Sequence, residues 1–256
     1  MNILEKNRKA FEAQAIRFSP DGKTFADDEE LRWMLADLPM APELKALDVA
    51  AGTGEFARAM AVHVSNVTAV DATEAMLAKG RDFVRENAIK NVEFRKGVAE
   101  DLAFDDATFD IVACRYAFHH FGDPKPVLSE MVRVCKSQGF IITVDIVVPD
   151  DETATAYNYY ERLVDDSHAR CLGFGEFQSL YGLFGLEIHS AKCREVEESV
   201  TAWMNFALTP EERRKVILGA IQEELEAGTK TGLSPYRKGA ELYFKQKCAV
   251  LVGRKS

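Results

Sequence analysis

The sequence predicts an α/β fold built around a mostly parallel β-sheet. From about residue 46 onward, short apolar runs alternate with helical patterns, and this alternation is typical of βαβ units. A glycine-containing turn at residues 50–54 connects the first of these runs to a helix. The chain has 256 residues, of which 47% are hydrophobic and 29% charged, so it can bury a core without disulfides or metal ions. We therefore expect a single domain over residues 1–256.

The first part of the chain carries five predicted strands, each a short run rich in β-branched or aromatic residues. These strands cover residues 46–50, 67–70, 92–94, 109–114 and 140–144. Crossover helices are predicted between them, because apolar residues recur there at spacings of three or four. The helices cover residues 55–63, 75–87 and 126–136. Gly139 is expected to end the last of them.

The flanking regions are predicted to be mostly helical. Residues 4–38 have the pattern of two helices, which the turn-forming Ser-Pro-Asp-Gly at 19–22 separates. Further helices are expected at residues 157–164, 174–184 and 200–227, and late strands at 186–191 and 249–253. Within the last helical region, Thr209 would be an N-cap and Pro210 the first helical residue.

Composition and charge argue against several classes of protein. No run approaches the roughly 18 to 20 apolar residues of a membrane span, and the first residues are polar, so we expect a cytoplasmic protein without a span. A net charge of -9 disfavours nucleic acid as a partner. The five cysteines are scattered singly, which disfavours a disulfide framework and a metal site. A small molecule is the expected partner, and the sequence leaves a homodimer open.

The glycine turn is the clearest sign of a ligand site. From Gly52 the sequence matches G-x-G-x-x-A, and Asp71 follows 17 residues beyond Gly54, at the end of the next predicted strand. Asp71 could accept hydrogen bonds from a ribose diol in more than one class of cofactor. Asp48, just before the turn, would repel a pyrophosphate but tolerates a cofactor that carries an ammonium and a sulfonium.

Four motifs follow one another along the chain. They are Asp48-x-Ala-x-Gly52-x-Gly54, Val70-Asp71-Ala72-Thr73-x-x-Met76, Phe109-Asp110-Ile111-Val112 and Glu130-x-x-Arg133-Val134-Cys135-Lys136-x-x-Gly139. In this order they resemble the class I S-adenosylmethionine-dependent methyltransferases, and among these the small-molecule branch that includes the ubiquinone and menaquinone biosynthesis C-methyltransferases. The resemblance covers roughly residues 45–148. It implies a Rossmann-like seven-stranded sheet, mostly parallel with an antiparallel last strand at 249–253, with helices on both faces and a helical cover.

The resemblance also implies that S-adenosylmethionine is the cofactor and S-adenosylhomocysteine the product. The residues it assigns to the cofactor are Asp48, Ala50, Gly52 and Gly54 at the methionine end, Asp71 at the ribose, Ala72 and Met76 at the adenine, and Arg115 in the segment that passes the sulfonium. Val98 stands where the family usually has an acid that meets the adenine amino group, so Ala99 or Glu100 would take over this contact. Met76 also fits the apolar face of its own helix, and this alternative stays open.

Three histidines are candidates for a catalytic base. Methyl transfer from a sulfonium needs a base only if the acceptor must lose a proton; otherwise the protein mainly aligns the reactants and excludes water. His119 and His120 follow the fourth predicted strand at the carboxyl edge of the sheet, and His168 lies in an irregular polar stretch. Each could equally hydrogen bond to loop backbone. Because His119 and His120 are adjacent, we expect their side chains to diverge.

The preferred interpretation is methyl transfer to a small-molecule acceptor by in-line displacement. Residues 1–40 would form an N-terminal helical cover, 41–148 the cofactor-binding core, and 149–256 the substrate-covering helices and final strands. One alternative is a nicotinamide-dependent oxidoreductase, which the glycine pattern and Asp71 would also suit. The other is a non-catalytic S-adenosylmethionine-binding protein. This alternative stays open because Val98 replaces the acid that usually meets the adenine amino group. The sequence does not say whether carbon, oxygen, nitrogen or sulfur is methylated.

Overall fold

The computed structural model describes residues 3–15, 28–228 and 230–256, and within them one β-sheet of eight strands. The strands are β1 (Lys45–Val49), β2 (Asn66–Asp71), β3 (Val92–Lys96), β4 (Phe109–Arg115), β5 (Cys135–Val147), β6 (Leu186–Ser199), β7 (Tyr236–Lys238) and β8 (Glu241–Lys255). Their order across the sheet is β3-β2-β1-β4-β5-β8-β6, and β7 pairs with β8 outside this path.

The predicted fold class is confirmed. Strands β1 to β5 pair in parallel, whereas β8 is antiparallel to both of its neighbours, β5 and β6. The difference from the predicted seven strands is β7, which has three residues. Its sequence, Tyr-Arg-Lys, is half-buried to exposed, so it contains no apolar run that would have revealed a strand.

Nine helices are assigned within the described residues, together with a short 3-10 helix at Phe118–His120. The helices are α1 (Ile3–Gln14), α2 (Asp28–Leu35), α3 (Glu55–Ala61), α4 (Glu74–Glu86), α5 (Pro124–Val134), α6 (Ala154–Val164), α7 (Phe174–Leu183), α8 (Val200–Phe206) and α9 (Glu211–Ala227). None of these described helices combines the length and the apolar character that a bilayer crossing would require.

Helices cover both faces of the sheet. On one face, α5 and α7 share a buried core with Leu47 of β1 and Val112 of β4. On the other face, α3 and α4 share a core with Ala46 and Ile111 of the same two strands. Successive side chains of a strand point to opposite faces, so these apolar strands supply two cores at once.

A third core lies beyond the carboxyl end of β5 and the amino end of β8. It joins α6, α8 and α9 through Tyr157, Met204 and Ile221, which share a buried cluster with Ile146 and Phe244. This packing fixes the three helices beside the carboxyl edge of the parallel strands, where ligands of such sheets bind.

One predicted helix boundary is wrong, at the junction of α5 and β5. Helix α5 ends at Val134 and Cys135 begins β5, so Gly139 lies inside the strand instead of ending the helix. A Cβ at Gly139 would lie 2.7 Å from Cys135 Sγ and 2.8 Å from the carbonyl oxygen of Asp110. Close packing within the sheet therefore explains this glycine.

The predicted start of α9 is also displaced. Its N-cap is Pro210, and the Thr209 hydroxyl donates instead to the carbonyl oxygen of Val164, at 2.9 Å. Thr209 thus ties α9 to the end of α6, which is a tertiary contact that no local pattern predicts. The predicted turn at 19–22 lies outside the described residues.

The late strands are longer than predicted. Strands β6 and β8 pair from Leu186 opposite Lys255 to Ser199 opposite Tyr243. Most of β6 is half-buried or exposed, because it is the edge strand of the sheet, and the first half of β8 is mostly half-buried as well. Apolar runs therefore predict only part of each strand.

Candidate functional site

A cavity of about 410 Å³ lies at the carboxyl ends of β1, β2, β4 and β5. The chain continues from β1 to β2 on one side of this point and from β4 to β5 on the other. Open α/β sheets bind ligands where the strand order reverses in this way. Helices α1, α6 and α8 close the other side, with Phe11, Glu161 and Trp203 among the lining residues. The volume is typical of a small-molecule site.

The structure brings most of the predicted site residues to this cavity. Those that line it are Ala50, Gly52, Asp71, Ala72, Met76, Ala99, Glu100, Arg115, His119, His120 and His168. Asp48 and Gly54 are not part of the lining. Asp48 is buried in β1, and Gly54 is the N-cap residue directly before α3.

The two glycines of the turn have different roles. Both have left-handed backbone angles, with φ of 55° at Gly52 and 76° at Gly54. A Cβ at Gly52 would have no neighbour within 4 Å, so this glycine leaves open space at the cavity wall. A Cβ at Gly54 would lie 2.6 Å from the Phe94 ring, so this glycine lets α3 start against β3.

Asp71 holds the turn in place from the end of β2. Its Oδ2 accepts a hydrogen bond from the backbone N–H of Gly52 at 2.8 Å, and its Oδ1 accepts one from Thr73 at 2.7 Å. Burial raises the pKa of Asp71 above its ordinary value, and these hydrogen bonds oppose the rise. Each carboxylate oxygen has a second lone pair, so Asp71 can still accept from ligand hydroxyls.

Two buried polar atoms beside the turn have no hydrogen-bond partner among the described residues. They are Oδ2 of Asp48 and Nη1 of Arg115. Burial raises the pKa of Asp48 to about 7, although the nearby charge of Arg115 lowers it. Arg115 also forms a buried ion pair with Glu55. Unpaired buried groups carry a penalty of about 1–3 kcal/mol each, and more when charged, so a ligand group that pairs with Arg115, which lines the cavity, is favoured.

His119 is oriented by a buried carboxylate. Its Nδ1 lies 2.5 Å from Oδ1 of Asp145, and its backbone N–H donates to Oδ2 at 3.1 Å. Because an ionised carboxylate only accepts, Nδ1 carries the hydrogen, and Nε2 is the nitrogen that can take up a proton. Burial lowers the pKa of His119, but attraction to Asp145 and the hydrogen bond outweigh it, so the pKa is raised.

The structure also corrects the expectation that the rings of His119 and His120 diverge. Their centres are 4.0 Å apart, and the His168 ring lies 5.4 Å from that of His119. The two adjacent histidines belong to a 3-10 helix, where successive side chains are about 120° apart and not opposite each other as in a strand. Even so, within the described part of the chain no group of three or more His, Cys, Asp or Glu residues could hold a metal ion.

His120 and His168 differ from His119 in their protonation. The Nδ1 of His120 donates to the carbonyl oxygen of Ser167 at 3.1 Å, and Nε2 of His168 lies 3.2 Å from Oδ1 of Asn158. Burial and the neighbouring charge of His119 lower the pKa of His120 to about 4, and they lower that of His168 further. Both rings are therefore neutral at neutral pH, and His119 is the histidine suited to exchange a proton.

Glu161 is a cavity residue that sequence reasoning missed. It is 4% exposed, and burial raises its pKa to about 7. On α6 it follows Tyr157 by one turn and precedes Val164, so it lies on the buried face of the helix. The sequence does contain a signal for Glu161, because a glutamate in the middle of an apolar helical face is unusual.

Comparison with known proteins places these features in context. Residues 47–143 match a family model described as a methyltransferase domain. The chain is 34% identical over 199 residues to the uncharacterized methyltransferase YcgJ of Bacillus subtilis, covering 77% of this chain and 79% of that protein. It is 33% identical over 122 residues to the ubiquinone/menaquinone biosynthesis C-methyltransferase UbiE of Idiomarina loihiensis, covering 46% of this chain and 49% of that protein.

The similarity extends to the three-dimensional structure. The crystal structure of the Bacillus subtilis YcgJ protein superposes with a TM-score of 0.82 at 29% sequence identity, and covers 90% of this chain and 99% of that chain. The likeness therefore includes much of the helical flanks and not only the region around the glycine turn.

Proposed function

The chain belongs to the class I S-adenosylmethionine-dependent methyltransferases, and we propose that it methylates a small-molecule acceptor by in-line displacement. The observation that carries this proposal is that one cavity joins the glycine turn to the His119–Asp145 pair. Helices close the cavity opposite the turn, which suits a small acceptor better than a polymer. The net charge of -9 also disfavours a nucleic-acid acceptor.

The residues around the turn fit the cofactor. Its amino-acid end carries a carboxylate, which matches the unpaired Nη1 of Arg115 at the cavity wall, and an ammonium, which the buried charge of Asp48 behind the turn would favour without lining the cavity. Asp71 would accept hydrogen bonds from the ribose hydroxyls, and the open side of Gly52 would allow close approach. The proposed adenine contacts are Ala72, Met76, Ala99 and Glu100. When bound, the cofactor supplies a methyl group on an already activated leaving group.

The protein's contribution to such a reaction is alignment, exclusion of water and proton transfer. Phe11 of α1 packs edge-on against His120, with ring centres 4.9 Å apart, and so closes the cavity beside the histidines. We propose His119 as the base, because its Nε2 can take a proton from the acceptor while Asp145 stabilises the imidazolium. The neutral rings of His120 and His168 would orient His119 and the acceptor.

We also propose that the helical flanks and the core form one domain. Ala15, which follows α1, and Phe206 of α8 pack in one cluster with Met76 of α4. In addition, Asn7 donates through Nδ2 to the carbonyl oxygen of His120 at 2.9 Å. A single calorimetric unfolding transition is expected, and two separate transitions would contradict this division.

Binding measurements distinguish this function from the oxidoreductase alternative. Isothermal titration should detect binding of S-adenosylhomocysteine and none of NADH, because buried Asp48 disfavours a pyrophosphate next to the turn. Arg115→Met should weaken S-adenosylhomocysteine binding, whereas the exposed control Arg85→Met should not. Binding of NADH but not of S-adenosylhomocysteine would refute the proposal.

Turnover distinguishes an enzyme from a protein that only binds the cofactor. S-adenosylmethionine is incubated with the protein and a deproteinised metabolite extract, and formation of S-adenosylhomocysteine is followed by mass spectrometry. We expect formation above the rate measured without extract. An equal rate with and without extract would favour the non-catalytic alternative.

A further inference from the structure

Glu161 is a buried carboxylate whose side-chain hydrogen-bond partners are uncharged. Gln246 donates through Nε2 to its Oε1 at 3.3 Å, and the Tyr157 hydroxyl is its other side-chain hydrogen-bond partner. Among the ion pairs formed within the described ranges, none includes Glu161. His119 attracts Glu161 electrostatically but forms no ion pair with it. An ionised carboxylate that is removed from water without a paired cation is strongly disfavoured, so a positively charged ligand would stabilise the ionised form of Glu161.

Two other buried glutamates at the same cavity differ from Glu161 in this respect. Glu55 is paired with Arg115, and Glu30 lies 3.4 Å from Arg194. The chain thus supplies an arginine to each of these carboxylates. For Glu161 the cavity itself is the place from which a cation can come, because Glu161 lines it.

The surroundings of Glu161 suit the body of an organic cation. Ile146, Val164 and Trp203 supply apolar surface to the same cavity. Trp203 is held by Phe244, with ring centres 4.8 Å apart, and an indole ring attracts cations placed over its face. The base His119 lines the cavity too, and electrostatic attraction between Glu161 and His119 raises the pKa of the imidazole.

We propose that the methyl acceptor is an amine, that Glu161 binds its ammonium group, and that its nitrogen is methylated. This inference rests on the proposed methyl transfer. The ammonium R–NH3+ gives one proton to Nε2 of His119. The nitrogen lone pair then forms a bond to the methyl carbon while the carbon–sulfur bond breaks, and its electron pair stays on sulfur. The products are the methylated ammonium and neutral S-adenosylhomocysteine. Glu161 remains ionised and pairs with the positive nitrogen of both substrate and product.

The class of acceptor can be tested without knowing its identity. A deproteinised metabolite extract is first separated on a strong cation exchanger at about pH 2, where carboxyl groups are protonated and amines, including amino acids, are retained as cations. Each fraction is then incubated with the protein and methyl-labelled S-adenosylmethionine. We expect label to enter a product of the retained fraction. Label that enters only the unretained fraction would overturn the inference while leaving the proposed function intact. If neither fraction is labelled although S-adenosylhomocysteine binds, the proposed function itself fails.

Variants of Glu161 test the role of the residue. Glu161→Gln keeps the size and the hydrogen bond to Gln246 but removes the charge, so kcat/KM with the retained fraction should fall by about 10- to 100-fold. Affinity for S-adenosylhomocysteine, which reports an intact fold, should change less than twofold. The matched control Glu187→Gln removes an exposed carboxylate outside the cavity and should behave as wild type.

The conservative variant Glu161→Asp keeps the charge and should therefore retain more activity than Glu161→Gln. If Glu161→Gln is as active as wild type, or more active than Glu161→Asp, Glu161 does not bind a cation and the inference is overturned.

Discussion

Replacing Asp145 by Asn tests whether His119 acts as a base. The two side chains share a hydrogen bond of 2.5 Å, and Asp145 is 1% exposed, so solvent screens little of its charge. Hydrogen bonds to charged groups contribute about 1.5–3 kcal/mol, and about 1.4 kcal/mol corresponds to one pKa unit. Asp145→Asn should therefore remove about 1.5–3 kcal/mol of stabilisation from the imidazolium and lower the pKa of His119.

The substitution should also change which nitrogen of His119 carries the hydrogen. Asparagine can donate through its amide to Nδ1, which leaves the hydrogen on Nε2, where a base needs a lone pair. We expect kcat to fall by about 10²- to 10⁴-fold, the range that a positioned general base contributes. Asp145 is not part of the cavity lining, so affinity for S-adenosylhomocysteine should remain within about twofold.

The assay is the pH dependence of kcat with the amine-containing fraction. Only neutral His119 can accept a proton, so kcat of the wild type should rise with pH through its raised pKa, above about 6.5. The midpoint should move to lower pH in Asp145→Asn. Asp110→Asn is the control, because Asp110 pairs with Lys136 at the amino end of β4, whereas the histidines follow the carboxyl end of this strand, so the substitution should change neither quantity. An unchanged midpoint and an unchanged kcat in Asp145→Asn would refute the role of His119.

The same pair predicts a pH dependence of stability. Asp145 raises the pKa of His119 in the folded state, so the stabilisation is fully present below about pH 6.5 and is lost as pH rises through the folded-state pKa. The wild type should therefore exceed Asp145→Asn in Tm by more at low pH than at high pH. An equal difference in Tm at both ends of this range would contradict the linkage.

Three further predictions concern the cofactor turn and the cover. Asp71→Ala should weaken S-adenosylhomocysteine binding by about 1–3 kcal/mol, and an unchanged Kd would remove Asp71 from the site. Gly52→Val should impair binding more than stability, because its side chain would enter the cavity, whereas Gly54→Val should mainly lower Tm, because it meets Phe94; the opposite pattern would refute these assignments. Amide exchange in α1 and residues 150–184 should slow when cofactor and acceptor bind, with buried α5 as the control, and equal exchange with and without ligands would contradict a closing cover.

The sequence alone determined the parts of the site that depend on local structure. The glycine turn lies between a strand and a helix within about a dozen residues, so its pattern is readable from the order of residues. Asp71 could be placed in the same way, because the ends of consecutive parallel strands meet at one edge of a sheet. His119 and His120 were placed at this edge for the same reason.

Only the tertiary structure decided which of these residues face one another. His119 meets Asp145 across 26 positions in the chain, and His168 and Glu161 join them because the helices after β5 pack over the carboxyl edge. No periodic pattern specifies such a contact, because it depends on how separate apolar faces pack together. The same packing buries the three histidines and Glu161. Burial and the neighbouring charges shift the pKa values of these four groups differently, so the groups differ in protonation.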